Sequence, residues 1–96
     1  MAAYLVGHIS VRNKALWRQY IAGVAESLTP FEARVVFRGQ LASVLAGEQE
    51  HELIVVIEFA DNTSLQAWFD SDKYQSIIPL RDEAADVIIS TYESYD

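Results

Sequence analysis

The sequence predicts one α+β domain of the split βαβ kind: an antiparallel sheet in the order 4-1-3-2, with its helices on one face. Three observations predict it. The chain has 96 residues, enough for a single core and too few for two. Strand-like and helix-like segments alternate as β-α-β-β-α-β, with no repeat, linker or low-complexity tract. The composition, 51% hydrophobic and 22% charged, is that of a chain that folds.

Each element has a local reason. Tyr4 to Val11 is rich in β-branched and aromatic residues and predicts the first strand. Asn13 then caps a helix on which Leu16, Trp17, Tyr20, Ile21, Val24 and Leu28 form one apolar stripe. Thr29-Pro30 ends it, because the residue before proline is pushed out of the α region. Ala33 to Phe37 predicts the second strand, Gly39-Gln40 a tight turn or bulge, and Leu41 to Leu45 a short strand pairing back. Gly47 to Glu50 reads as a polar loop, and Leu53 to Phe59 is the clearest strand. Asp61 and Asn62 compete to cap a helix carrying Leu65, Trp68 and Phe69. Ser71-Asp72-Lys73 breaks that helix, and a further helical stretch carries Tyr74, Ile77, Ile78 and Leu80, kinked or restarted at Pro79. Val87 to Tyr92 is the last strand.

The third strand is apolar on both sides, with Leu53, Val55, Ile57 and Phe59 on one and Ile54 and Val56 on the other. Helices on one face cover only one of these sides. The other side would expose Val6, Ile54 and Val56, each worth roughly 1.5–3 kcal/mol when buried. A two-fold homodimer packing sheet on sheet, and enclosing a small cavity, is the simplest cover.

Charge and composition narrow the partners. Seven Lys and Arg stand against 14 Asp and Glu, for a net charge of −7. Neither a nucleic-acid backbone nor an anionic membrane suits such a chain. Absence of cysteine excludes disulfides, thiolate metal sites and cysteine nucleophiles. The first eight residues do not read as a signal peptide, and no apolar run is long enough to span a bilayer, so a cytoplasmic location is expected. No glycine-rich phosphate loop, nucleotide fingerprint or nucleophile elbow is present, and no cofactor is expected.

Several segments together resemble the bacterial family called domain of unknown function 1330, in the dimeric α/β-barrel superfamily with its ferredoxin-like fold. They are Tyr4-Leu5-Val6-Gly7-His8-Ile9, Arg38-Gly39, Val56-Ile57-Glu58-Phe59, Ala67-Trp68, Ser71-Asp72-Lys73-Tyr74-Gln75 and Pro79-Leu80-Arg81. The resemblance implies the fold and the homodimer; it supplies no reaction. Haem-degrading members of the superfamily rely on a histidine in the second helical region, where this chain has Tyr74 and no histidine, so haem is not expected.

Candidate site residues follow from strand alternation. His8 shares a strand face with Tyr4, Val6 and Ser10, and Glu58 shares one with Ile54 and Val56. If the two meet across neighbouring strands, the carboxylate orients the imidazole and makes it a candidate general base, a catalytic pair; alternatively they are a buried pair that satisfies its own polar atoms. Arg38, beside Gly39 at a strand end, and Arg81 are candidate substrate-binding cations, since a guanidinium grips a carboxylate in a bidentate way. The alternative for each is a structural ion pair. Tyr74 is a candidate hydrogen-bond donor into a cavity, or simply part of the core. Glu48, Glu50, His51 and Glu52 read as a solvated loop and no metal site is expected. Two functions remain: a cofactor-independent enzyme acting on a small organic or anionic metabolite in a cavity between sheet and helices, or a non-catalytic ligand-binding or structural dimer.

Overall fold

The computed structural model describes residues 1–95. Its elements are β1 (Ala3–Val11), α1 (Lys14–Leu28), β2 (Arg34–Gln40), β3 (Leu53–Phe59), α2 (Asn62–Phe69), α3 (Asp72–Gln75), α4 (Ile78–Ala84) and β4 (Ala85–Glu93). The four strands form one antiparallel sheet in the order β2-β3-β1-β4, the predicted order read from the other edge.

The caps act as anticipated. Asn13 accepts from the Leu16 N–H at 3.0 Å, and Asp61 wins over Asn62 by accepting from the Ser64 N–H at 2.8 Å. The Ser64 N–H, with the Ser64 side chain, holds the Asp61 carboxyl below the usual range. Ser71 caps α3, and Pro79 sits in the first turn of α4, where its missing N–H needs no partner. The second helical region is thus three short pieces joined by cap residues.

Alternation along β1 decides the layers. Ala3, Leu5, Gly7 and Ile9 are buried, while Tyr4, Val6, His8 and Ser10 are only half-buried. The buried set joins Ile57 and Phe59 of β3, Leu65 and Trp68 of α2, Tyr74 of α3 and Tyr20 of α1 in one core. All helices therefore lie on that face. The Cα frame is 16 Å through its thinnest dimension, two layers and no more, so nothing among the described residues covers the sheet's other face.

Three expectations about the β2–β3 region need correction. Gly39 and Gln40 do not turn; they extend β2, pairing with Ile54 and Leu53, and the bulge falls between Val35 and Phe37. Leu41 to Leu45 is not a strand: Gly39 and Gln40 stay in β2, so no turn sends the chain back along that strand's outer edge. His51 is not a solvated loop residue: it is 7% exposed, and its Nε2 lies 3.1 Å from the Asp86 carboxylate on β4. With Leu41 N–H bonded to the Glu52 carbonyl and Ser10 reaching the Glu50 carbonyl, residues 41–52 form a loop pinned across the strand ends.

Candidate functional site

The main cavity of the molecule, about 780 Å³, lies between the sheet's core face and α1. Its origin is a mismatch of packing. α1 rests on α3 and α4, whereas α2 and α4 make the contacts with the strands. α1 is therefore held off the sheet, and a gap remains above Leu5, Gly7, Val55 and Ile57. The roof is the α1 stripe, Trp17, Tyr20, Val24 and Leu28, and Trp68 closes the inner side. At one side the wall is β2, with Arg38 and Gln40. Among the described residues that line it there is no aspartate, glutamate or histidine.

A polar chain leads away from the cavity, starting at its lining residue Tyr20. The Tyr20 and Tyr74 hydroxyls are 2.9 Å apart, Arg81 Nη1 donates to the Tyr74 oxygen at 3.0 Å, and Arg81 Nε donates to Asp82 at 3.1 Å. Tyr20 is 6% exposed and Tyr74 is fully buried. Burial, with Tyr74 alongside, pushes the Tyr20 phenol far above its ordinary value, so it stays neutral. Burial alone would lower the Arg81 value, but its bonds to Tyr74 and Asp82 outweigh this and hold the guanidinium charged. Close by, the Trp68 indole N–H donates to Ser27 Oγ at 2.9 Å, and Ser27 donates to the Val24 carbonyl at 2.7 Å.

The predicted site residues separate into two groups. His8 and Glu58 share the sheet's helix-free face, but they do not meet. The register sets His8 opposite Ile54 and Glu58 opposite Tyr4, an offset of roughly 13 Å along the strands. Glu58 instead accepts from the Tyr4 hydroxyl at 2.9 Å and from Arg34 Nε at 2.8 Å. These two bonds, Arg34 first, hold its carboxyl below the usual range, and the hydrogen bond to Glu58, with the Glu58 charge, raises Tyr4. The cavity is on the opposite face, so neither His8 nor Glu58 reaches it. Arg38, Tyr74 and Arg81 do belong to the helix side. Arg38 is exposed at the cavity wall and makes no ion pair among the described residues. Tyr74 packs in the core against Trp68 and Phe69, with its hydroxyl turned to Tyr20. Arg81 also borders a smaller cavity of about 340 Å³ with Gln66, Phe69 and Thr91.

Sequence reasoning left Tyr20 out of the site because it fell on an apolar stripe. A signal was there: a tyrosine in such a stripe must bring its hydroxyl to a polar partner. Tyr74, at the head of another stripe, posed the same demand, and each answers the other.

Comparison with solved structures gives the same fold at low identity. The RPA0582 protein of unknown function from Rhodopseudomonas palustris superposes with a TM-score of 0.81 at 14% identity, over 99% of this chain and 83% of that one. SnoaB, a cofactor-independent oxygenase from Streptomyces nogalater, has a TM-score of 0.71 at 8% identity, over 99% and 94%. A dimeric ferredoxin-like protein of unknown function from Jannaschia sp. CCS1 has a TM-score of 0.68 at 11% identity, over 98% and 100%. No curated protein matches the sequence. The fold is therefore ferredoxin-like, as in the dimeric α/β-barrel proteins, and one family model, "Domain of unknown function (DUF1330)", matches residues 2–94: the chain belongs to that family.

Proposed function

We propose that the protein is a homodimer in which each protomer binds a small, flat organic acid in the cavity between sheet and α1. The observation that carries this reading is the cavity itself. A space of about 780 Å³ walled by Trp17, Val24, Leu28, Ile57 and Trp68 suits an aromatic or polycyclic skeleton. Arg38, with no carboxylate partner among the described residues, supplies a cation for an acidic group at the wall. The homodimer reading is supported by the uncovered sheet face and by dimeric neighbours from Jannaschia sp. CCS1 and Thermobifida fusca.

Tryptophan fluorescence titrated with 2-naphthoate tests the binding reading, because Trp17 and Trp68 line the cavity. Saturable quenching is expected, and Arg38→Ala should weaken it about tenfold, the worth of one charge-assisted bond. Quenching that never saturates removes the reading. Undiminished affinity in Arg38→Ala removes Arg38 from it.

A second reading, cofactor-independent conversion of the bound molecule, has its own support. SnoaB, a cofactor-independent oxygenase, has this fold. The lining offers no carboxylate or imidazole as a base among the described residues, so such chemistry would rest on the ligand's own reactivity and on Tyr20. Product analysis after incubation with candidate acids in air separates the two readings: unchanged ligand supports binding alone.

A further inference from the structure

We infer that the Tyr20 hydroxyl is the hydrogen-bond donor this cavity presents to its ligand, and that the ligand carries a carbonyl, enolate or phenolate oxygen on its inner end. The inference rests on the reading of the cavity as a binding site and adds the chemistry of the end remote from Arg38.

A guanidinium can only donate, so Arg81 Nη1 gives a hydrogen to the Tyr74 oxygen at 3.0 Å. Tyr74 is fully buried, and its own hydrogen has one acceptor among the described residues, the Tyr20 oxygen at 2.9 Å. If Tyr20 donated to Tyr74 instead, the Tyr74 hydrogen would be buried with no partner, which folded proteins avoid. The consistent direction is Arg81 to Tyr74 to Tyr20. It leaves the Tyr20 hydrogen unspent, on a residue that lines the cavity. The Trp68 N–H beside it is already given to Ser27.

The direction also sets the preference. Arg81 polarises Tyr74, and Tyr74 polarises Tyr20, so the last hydroxyl is a stronger donor than an isolated phenol. Such a donor favours a negative oxygen over a neutral one. A bound hydroxyaromatic molecule should therefore ionise more readily with the Tyr20 hydroxyl present than without it. Tyr20 touches the ligand in this scheme; Tyr74 and Arg81 are positioning residues.

The probe is 4-nitro-1-naphthol, whose phenolate is coloured, titrated by absorbance while bound. The bound probe's pKa in the parent protein should lie about one unit below its value bound to Tyr20→Phe. Tyr20→Phe should restore about that unit while the probe still binds, and Tyr74→Phe should restore part of it. A purely structural role for Tyr20 and Tyr74 would change melting temperature and leave the probe pKa where it was. That result, with binding intact, overturns the donor assignment alone. Failure of the probe to bind the parent protein removes the binding reading and this inference with it. Should Tyr20→Phe not fold, an isotope label at tyrosine Cζ in the parent gives the answer by NMR. The Tyr20 resonance should move as the probe ionises, and a fixed resonance overturns the assignment.

Discussion

Near the C-terminal end of α1, Ser27 does work that no local pattern announces. It is 1% exposed and takes the Trp68 indole N–H while giving its own hydrogen to the Val24 carbonyl. Ser27→Ala strands a buried donor and should lower stability by about 1–3 kcal/mol, read by urea unfolding. A loss near zero would show that water replaces the serine. Glu58 behaves differently because it is partly exposed on the helix-free face. Its folded carboxyl titrates below the unfolded one, so its contribution is present above the unfolded value and fades as pH falls through the folded value. The stability difference between the parent and Glu58→Gln should therefore shrink on acidification. A difference that is constant with pH would mean the Arg34 and Tyr4 bonds contribute nothing. His8, across from Ile54, has no part in that cluster.

Elements with strong local signals were readable in the sequence; those defined by distant contacts were not. β3 runs over the residues its apolar pattern marks, and α1 begins at its asparagine cap. Leu41 to Leu45 carries a strand-like pattern, but pairing back on β2 needs a reversal at Gly39-Gln40, and those two residues instead extend β2. His51 sits among Glu48, Glu50 and Glu52, so local composition says solvent; the residue is buried, and its ring bonds Asp86, 35 positions away. Alternation correctly put His8 and Glu58 on one face. Register, which alternation does not specify, kept them apart. The His51–Asp86 contact has a consequence for the loop of residues 41–52. Its tip is apolar and open, with Leu45 96% exposed, so few other contacts hold it. His51→Ala should speed amide exchange across the loop and leave the β1–β3 amides protected. Uniform acceleration through the sheet would instead make His51 a global stabiliser. The approach of α1 to α4 is a second element-scale constraint. A Cβ on Gly23 would lie 3.1 Å from Ile77 Cγ2, so Gly23→Leu should force the helices apart and reshape the cavity roof.

At the scale of the molecule, two faces of one sheet have different jobs. The core face supports the cavity, and the other presents Val6, Ile54 and Val56 half-buried, with Ile88 51% and Phe37 55% exposed. A patch of that kind calls for a second copy of the chain. Sedimentation should give about twice the 10.8 kDa chain mass, and Val56→Glu should shift it toward monomer, because the charge would enter the interface unpaired. A stable, unaltered dimer in Val56→Glu would place the interface elsewhere. The dimer and the cavity are separable, since the cavity is built within one protomer. The central claim is that this cavity takes a flat organic acid. The most direct test is an amide and indole NMR spectrum of the protein recorded with and without 2-naphthoate. The perturbed signals should cluster on Trp17, Tyr20, Val24, Arg38 and Trp68. Perturbation confined to Val6, Ile54, Val56 and Ile88, or no perturbation at saturating naphthoate, would contradict it.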